Sequence, residues 1–286
     1  MTRRVLVTGA AGHLGSRLVS ALQRDGWHVR AFTHRRPVAG ADDEHRGSLL
    51  DPAACRAALD GCDAVVHAAG VTHARRRLTY WSLNVDATAV LVRASEDVGV
   101  QRLLFLSSRT AVAAGGWYSS SKLEAELIVA GSRLAWTTVR LPEIYGAASR
   151  EGLDRLIASA RSGGFVLVPG HGESQLCPLH VDDAVRACVI ALSTAAAVRQ
   201  TYVLGGDCIS LRAAAELVSP GVRIVPIPWP IMRAAALVGR GFGPVYPDQV
   251  ARLRAPKPSP SAAARAELGL TPRPFPEGLR SVLEAA

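Results

Sequence analysis

Tyr118 and Lys122 stand four residues apart in the run Tyr118-Ser-Ser-Ser-Lys122. On a helix that spacing puts both side chains on one face, a turn apart. A phenol whose pKa is drawn below its usual value of about 10 by a neighbouring ammonium can give a proton to an oxygen that is gaining negative charge. Hydride addition to a ketone creates such an oxygen. Taken alone, a Tyr-x-x-x-Lys pair reads as an ordinary exposed helix start, so its surroundings decide. One feature sets Lys122 apart. Of 33 lysines and arginines only Lys122 and Lys257 are lysines, in a chain that otherwise uses arginine throughout.

A second group of residues could hold an anion. Thr8-Gly9-Ala10-Ala11-Gly12-His13-Leu14-Gly15 lies between an apolar run and an amphipathic one. Glycine there permits a tight turn, close approach of backbone N–H groups to a pyrophosphate, and close packing of helix on strand. Gly9, Gly12, His13, Leu14 and Gly15 are therefore the expected pyrophosphate-binding residues; a tight turn without a ligand is the competing reading. A site specific for NAD carries Asp or Glu at the end of the second strand. Here that position is Thr33, followed by His34, Arg35 and Arg36. Two guanidiniums with no competing carboxylate suit a 2′-phosphate, the alternative being that they are solvated loop residues. The expected cofactor is NADP(H) rather than NAD.

These groups need elements to position them. Apolar strands at Arg4–Thr8, His28–Phe32, Ala64–Ala68, Arg102–Leu106 and Thr137–Leu141 alternate with amphipathic helices. The helices fall at Leu14–Asp25, after the Asp51-Pro52 cap, at Val85–Val98 and around Lys122–Ala130. That rhythm predicts an α/β fold: a Rossmann-like, doubly wound parallel sheet with a small, mostly helical C-terminal substrate lobe. Residues 1–147 and 178–206 are expected to form the NADP(H)-binding domain, with Tyr202–Leu204 returning to the main sheet. Residues 148–177 and 207–286 are expected to form the substrate lobe, with a helix at Leu153–Arg161, a short strand at Phe165–Val168, and no sheet in its proline-rich C-terminal part.

The ordered motifs Thr8-Gly-x-x-Gly-x-x-Gly15, Asp63-Ala-Val-Val-His67-Ala-Ala69-Gly70, Asn84-Val85-Asp86-Ala87-Thr88, Phe105-Leu-Ser-Ser108, Tyr118-x-x-x-Lys122, Arg140-Leu-Pro142-Glu-Ile-Tyr145-Gly146 and His180-Val181-Asp182-Asp183 run through nearly the whole chain. Together they resemble the extended branch of the short-chain dehydrogenase/reductases, the NAD-dependent epimerase/dehydratase family. The resemblance implies that Tyr118 is the proton donor and Lys122 its partner, which also holds the nicotinamide ribose. It implies that Ser108, with Thr110 as substitute, steadies the substrate oxygen. It places Ala68 and Ala69 along the cofactor, and Pro142 and Tyr145-Gly146 over the nicotinamide. Asn84 would bind a backbone carbonyl or a water, or cap its helix. His180 and Asp182 would anchor the lobes. Two departures stand out. Ser48 and Leu49 take the place beside the adenine where the family usually has Asp, and only nine residues separate Ser108 from Tyr118, fewer than is usual, with Arg109 directly after the serine.

Composition excludes some functions and leaves others. With 49% apolar and 20% charged residues the chain can bury a core, and no run approaches the ~18 apolar residues of a membrane span. No apolar leader opens the sequence, so a cytoplasmic protein is expected. The net charge of +9 is spread over many helices, and its densest cluster, Arg75-Arg76-Arg77, lacks aromatic interleaving, so no nucleic acid is expected as a partner; with no spanning run, no membrane is expected either. The five cysteines form no C-x-x-C pair and read as reduced structural thiols; no metal site is expected. The favoured function is reduction of a ketone on a small, hydrophobic cyclic or secondary-metabolite substrate by a monomer or homodimer. A sugar-nucleotide epimerase or dehydratase with tightly bound NAD is the alternative. A non-catalytic NADP(H)-binding protein is a third reading, suggested by the short loop before Tyr118.

Overall fold

The computed structural model describes residues 3–146, 152–161, 165–238 and 247–284. Strand β1 (Arg4–Thr8) leads into α1 (His13–Arg24), then β2 (His28–Thr33), β3 (Asp43–Arg46) and α2 (Pro52–Leu59). Asp51 caps α2 by accepting from the Ala53 N–H, with Pro52 at the first helical position. Strand β4 (Ala64–His67) is followed by α3 (Arg77–Tyr80), a π-helical stretch at Trp81–Asp86, α4 (Ala87–Asp97), β5 (Arg102–Ser108), α5 (Gly116–Ala130) and β6 (Ala135–Leu141).

The chain then passes through β7 (Ile144–Tyr145), α6 (Gly152–Arg161), β8 (Phe165–Pro169), β9 (Gln175–Leu176), β10 (Leu179–His180) and α7 (Val181–Ser193). Strand β11 (Gln200–Val203) returns to the main sheet beside β6. The remainder is β12 (Ile209–Ser210), α8 (Leu211–Val218), β13 (Arg223–Ile227), α9 (Trp229–Val238), α10 (Pro247–Arg254), α11 (Ala262–Glu267) and α12 (Phe275–Glu284).

The main sheet is seven-stranded and parallel, in the order β11-β6-β5-β4-β1-β2-β3. Alternation along each strand feeds two cores. Val5, Val7, Ala64, Val66, Leu104 and Leu106 pack toward α1 and α7. Leu6, Val65, Leu103 and Phe105 pack toward α2, α4 and α5. Order reverses between β1 and β4, the crevice where ligands bind in open α/β sheets.

Three expectations need correction. The C-terminal part is mostly helical, yet β13 pairs in parallel with β8, and β12 pairs with β9 antiparallel. Pro226 lies inside β13, but a two-stranded ribbon has edges on both sides and tolerates a residue without an N–H. Second, Cys177 and Cys208 form a disulfide, because the pairing Leu176↔Ile209 sets the flanking cysteines opposite one another. Cys55, Cys62 and Cys188 are buried free thiols, and burial raises them to about 11, 11 and 12. Third, the exposed Asp182 reaches Arg273 only at 3.9 Å, and the closer anchor of the C-terminal segment is its buried neighbour Asp183. Arg273 forks onto its carboxylate at 3.1 and 3.2 Å while the Arg273 N–H donates to it at 3.1 Å. The division expected at 147–148 lies outside the described residues.

Candidate active site

Apart from Tyr118 and Lys122, which lie on α5, the candidate residues lie at the carboxyl ends of main-sheet strands. The glycine loop follows β1, Arg35 and Arg36 follow β2, Ser48 and Leu49 follow β3, Ala68 and Ala69 follow β4, Ser108 ends β5 and Pro142 follows β6.

In the loop, Gly9 has a left-handed backbone (φ +69°), and a Cβ there would stand 2.7 Å from the Ala68 carbonyl carbon. A Cβ on Gly15 would collide with the Gly9 carbonyl, so helix and loop meet backbone to backbone. Gly12 differs. A Cβ on it would meet only the Gly9 oxygen at 3.1 Å, which leaves its other side open. Gly12 is also the N-cap of α1 and offers no capping side chain, so the first-turn N–H groups at His13 and Leu14 carry no side-chain acceptor. An uncapped helix N-terminus beside an open glycine is a cradle for a pyrophosphate, and the residues present fit a dinucleotide.

Thr8 ties the loop to β4. Its hydroxyl accepts from the Ala69 N–H at 3.2 Å and pairs with His67 Nδ1 at 2.7 Å. His67 Nε2 meets the Thr88 hydroxyl at 2.9 Å, and Thr88 donates to the Asn84 carbonyl. That chain assigns the His67 proton to Nε2. Complete burial, with the Lys122 charge adding to it, drives the His67 pKa down to about 3, so the ring is a neutral structural link.

At the end of β2 the picture is richer than the sequence indicates. Thr33 does occupy the terminal position, but its hydroxyl donates to Glu44 of β3 at 2.7 Å. A carboxylate therefore reaches this corner from the neighbouring strand, which corrects the expectation that none competes. Glu44 also accepts from the Val38 N–H at 3.4 Å, which folds the intervening loop. The register Thr33↔Arg46 adds a third guanidinium, whose Nε donates to the His34 carbonyl at 3.1 Å. Arg35 and Arg36 are exposed and make no ion pair among the described residues. Ser48 and Leu49 form the turn into α2, with the Ser48 hydroxyl accepting from the Leu50 N–H.

Helix α5 carries the candidate acid–base pair. Tyr118 and Lys122 both lie on its buried face. The Lys122 ammonium donates to the Leu106 carbonyl at 2.8 Å and stands 4.2 Å from the Phe105 ring centroid. It is only 5% exposed, and burial lowers its pKa to about 8, with Glu126 opposing the shift. A Cβ on Gly70 would fall 3.0 Å from Asn84 Oδ1 and 3.9 Å from Lys122 Nζ, so these three groups converge where β4 ends. Asn84 is not a helix cap. It grips the Val71 peptide from both sides, accepting from its N–H at 2.8 Å and donating to its carbonyl at 3.1 Å, and it also donates to Ser121 of α5.

Ser108 shares a hydrogen bond of 2.9 Å with Thr110, which couples the candidate to its substitute. The short loop is taken up by tight turns, Ala111 N–H to the Ser108 carbonyl and Gly115 N–H to the Val112 carbonyl, so α5 begins in time to keep Tyr118 on the buried face. Arg109 does not enter the site. It is 2% exposed, paired with Glu143 at 2.8 Å, and donates to the Gln175 carbonyl. Pro142 is partly buried next to the Ser108↔Leu141 register. Tyr145 lies elsewhere than expected. It is fully buried between the rings of His180 and Phe275, in the second lobe's core.

Two contributors escaped sequence reading because they come from α10. Arg252 places its guanidinium 4.9 Å from the Tyr118 ring centroid and donates to the Thr72 carbonyl at 3.2 Å, spanning the cleft. Asp248, 4% exposed, accepts from the Tyr80 hydroxyl at 3.2 Å, and Tyr80 accepts from the Ala74 N–H. Burial raises the Tyr80 pKa well above the ordinary phenol value, so it stays protonated behind Tyr118, 6.1 Å away ring to ring.

Fold and site together define a dinucleotide-dependent enzyme of the short-chain dehydrogenase/reductase class. The profile of the NAD dependent epimerase/dehydratase family matches residues 5–205, and the chain belongs to that family. It is 30% identical over 247 residues to a ceramide reductase of Caulobacter vibrioides, covering 82% of this chain and 77% of that one. It is 28% identical over 275 residues to the 4-hydroxy-2-methyl-3-oxo-4-farnesyl-3,4-dihydroquinoline-1-oxide ketoreductase of Stigmatella aurantiaca, covering 84% and 80%. Among solved structures, MoeE5 in complex with UDP-glucose and NAD superposes with a TM-score of 0.78 at 25% identity, covering 98% and 97%. Among the described residues no helix is long and apolar enough to cross a membrane.

Proposed function

We propose that this chain is an NADP(H)-dependent ketoreductase acting on a lipophilic ketone, with Tyr118 as proton donor. The observation that carries the reading is the buried ammonium of Lys122, one turn from Tyr118 on α5 and held on the Leu106 carbonyl of the strand that Ser108 ends. A bound nicotinamide supplies the hydride. This chain's part is the proton and the oxygen: Ser108 donates a hydrogen bond to the carbonyl oxygen, and Tyr118 transfers its hydroxyl proton there as the C=O bond becomes an alcohol. Lys122 stabilises the phenolate left behind, and bulk water reprotonates it.

The preference for NADP(H) rests on the exposed Arg35 and Arg36 and on Arg46, which can fork onto a 2′-phosphate. Glu44 is held by Thr33 and Val38 and stays with that loop. The lipophilic substrate class rests on two relatives, both named as reductases, of a ceramide and of a farnesylated quinoline oxide. The likeness to MoeE5 with UDP-glucose and NAD favours a second reading, a sugar-nucleotide enzyme that retains NAD. Nucleotide released by acid from the purified protein separates the two. Little bound nucleotide, with tighter NADPH than NADH binding in calorimetry, supports the reductase; stoichiometric NAD supports the second reading.

A further inference from the structure

The second lobe carries a surface that neither cofactor nor acid–base chemistry uses. In the β8–β13 ribbon one face is filled: Val166, Val168 and Ile224 pack onto the lobe core with Ala214, Ala215 and Val218 of α8. The opposite face is largely uncovered among the described residues. Phe165 and Leu167 on it are 55% and 54% exposed, next to their register partners Arg223 and Val225. Ile227, on the same face, packs into the α9–α10 cluster with Trp229 and Met232, so this ribbon face continues into the helix pair. There Ile231 and Leu237 are 58% and 59% exposed. Between the helices a groove of about 540 Å³ is lined by Ala236, Leu237 and Ala255, with Arg233 and Arg254 in its walls. It reaches Ala114, in the loop joining Ser108 to Tyr118.

Charge identifies what would cover this surface. From Ser219 to Lys257 the sequence holds one acidic residue, Asp248, and that one is buried against Tyr80. Arg223, Arg233 and Arg254 are all exposed, and the Arg254 guanidinium lies 5.7 Å from the partly exposed Trp229 ring. One exposed carboxylate, Glu173, lies with the Trp229 indole around Gly170, and the guanidiniums outnumber it. Apolar side chains, an indole and an excess of positive charge on one surface match the interface of an anionic bilayer, where rings sit at headgroup depth and cations meet phosphate. A second copy of this chain fits less well, since it would bring a second set of these guanidiniums into one contact with few carboxylates to meet them.

We infer that the β8–β13 face and the α9–α10 helices dock on the surface of an anionic membrane and admit a lipophilic ketone through the groove ending at Ala114. The inference rests on the proposed substrate class. No run of the sequence is long and apolar enough to span a membrane, and surface docking needs none.

Flotation of the full protein with vesicles, without cofactor or ketone, tests docking independently of the reductase reading. The protein should float with equimolar phosphatidylcholine and phosphatidylglycerol, remain behind with phosphatidylcholine alone, and be released when salt rises from about 0.1 M to about 1 M. The double variant Ile231→Asp/Arg233→Glu changes two exposed side chains and should lower binding roughly tenfold or more. It should keep its melting temperature and its turnover of a small water-soluble ketone, and lose turnover of a ketone embedded in vesicles. Arg233→Lys should bind as wild type does. Wild-type protein that ignores anionic vesicles at low salt, or a double variant that binds undiminished, overturns the inference. So does a concentration-dependent dimer that Ile231→Asp dissolves, since a second copy would then own the face.

Discussion

Replacing Lys122 with methionine separates a charge held for function from one held for structure. Burial lowers its pKa from 10.5 to about 8. A shift of about 2.5 units corresponds to roughly 3 kcal/mol against the charged form in the folded protein. At 5% exposure solvent screens little of that penalty. Methionine has nearly the same length and removes the charge, but it leaves the Leu106 carbonyl without its donor, at a cost of about 1–3 kcal/mol. The net expectation is a variant at least as stable as the wild type and up to about 2 kcal/mol more stable at pH 7, a rise of up to a few degrees in Tm. The sign has a pH signature. Because the folded pKa lies below the unfolded one, the wild-type penalty is complete below pH 8 and fades between pH 8 and 10.5, so the variant's advantage should shrink over that window. Urea unfolding at several pH values reads the stability, and calorimetry with NADPH reads the function, which should be lost. A variant destabilised by more than about 2 kcal/mol at pH 7 would refute the reasoning and make Lys122 a structural keystone.

Tyr118→Phe keeps the ring against Tyr80 and removes only the hydroxyl, so kcat should fall by about 10²–10⁴ with NADPH affinity unchanged; retained turnover in a ketone assay would move the proton donor elsewhere. The double variant Arg35→Ala/Arg36→Ala should raise the Kd for NADPH and leave that for NADH nearly constant by calorimetry, whereas equal losses would remove the 2′-phosphate role. Two glycines of one loop should fail differently. Gly12→Val adds bulk on the open side and should abolish cofactor binding with the circular dichroism spectrum intact, whereas Gly15→Ala collides with the Gly9 carbonyl and should lower Tm as well.

The parts of this architecture readable in the sequence are those written in local periodicity. Strand alternation from Val5 to Val7 and from Leu103 to Leu106, the glycine loop and the Tyr118–Lys122 spacing each depend on residues within one or two turns. What stayed hidden depends on register and on distance along the chain. Arg46 reaches the corner of β2 only because β3 pairs there as Thr33↔Arg46, and Glu44 arrives by the same pairing. The Cys177–Cys208 bridge joins residues 31 apart through a two-residue ribbon that no periodicity announces. Arg252 and Asp248 meet Tyr118 and Tyr80 across more than a hundred residues of sequence. Beside Gly146 in the sequence Tyr145 looks like a site residue, while its burial against Phe275 decides its place.

The central claim is hydride transfer from NADPH to a ketone carbon with protein-delivered protonation, and isotope transfer tests it most directly. The protein is incubated with NADPH deuterated at the nicotinamide C4 and a panel of lipophilic ketones, and the products are read by mass spectrometry. The account predicts an alcohol carrying one deuterium on the carbinol carbon, formed one for one with the NADPH consumed and suppressed in Tyr118→Phe. Deuterium that stays on the cofactor across the whole panel, in a protein that instead holds NAD and interconverts a sugar nucleotide, would contradict it.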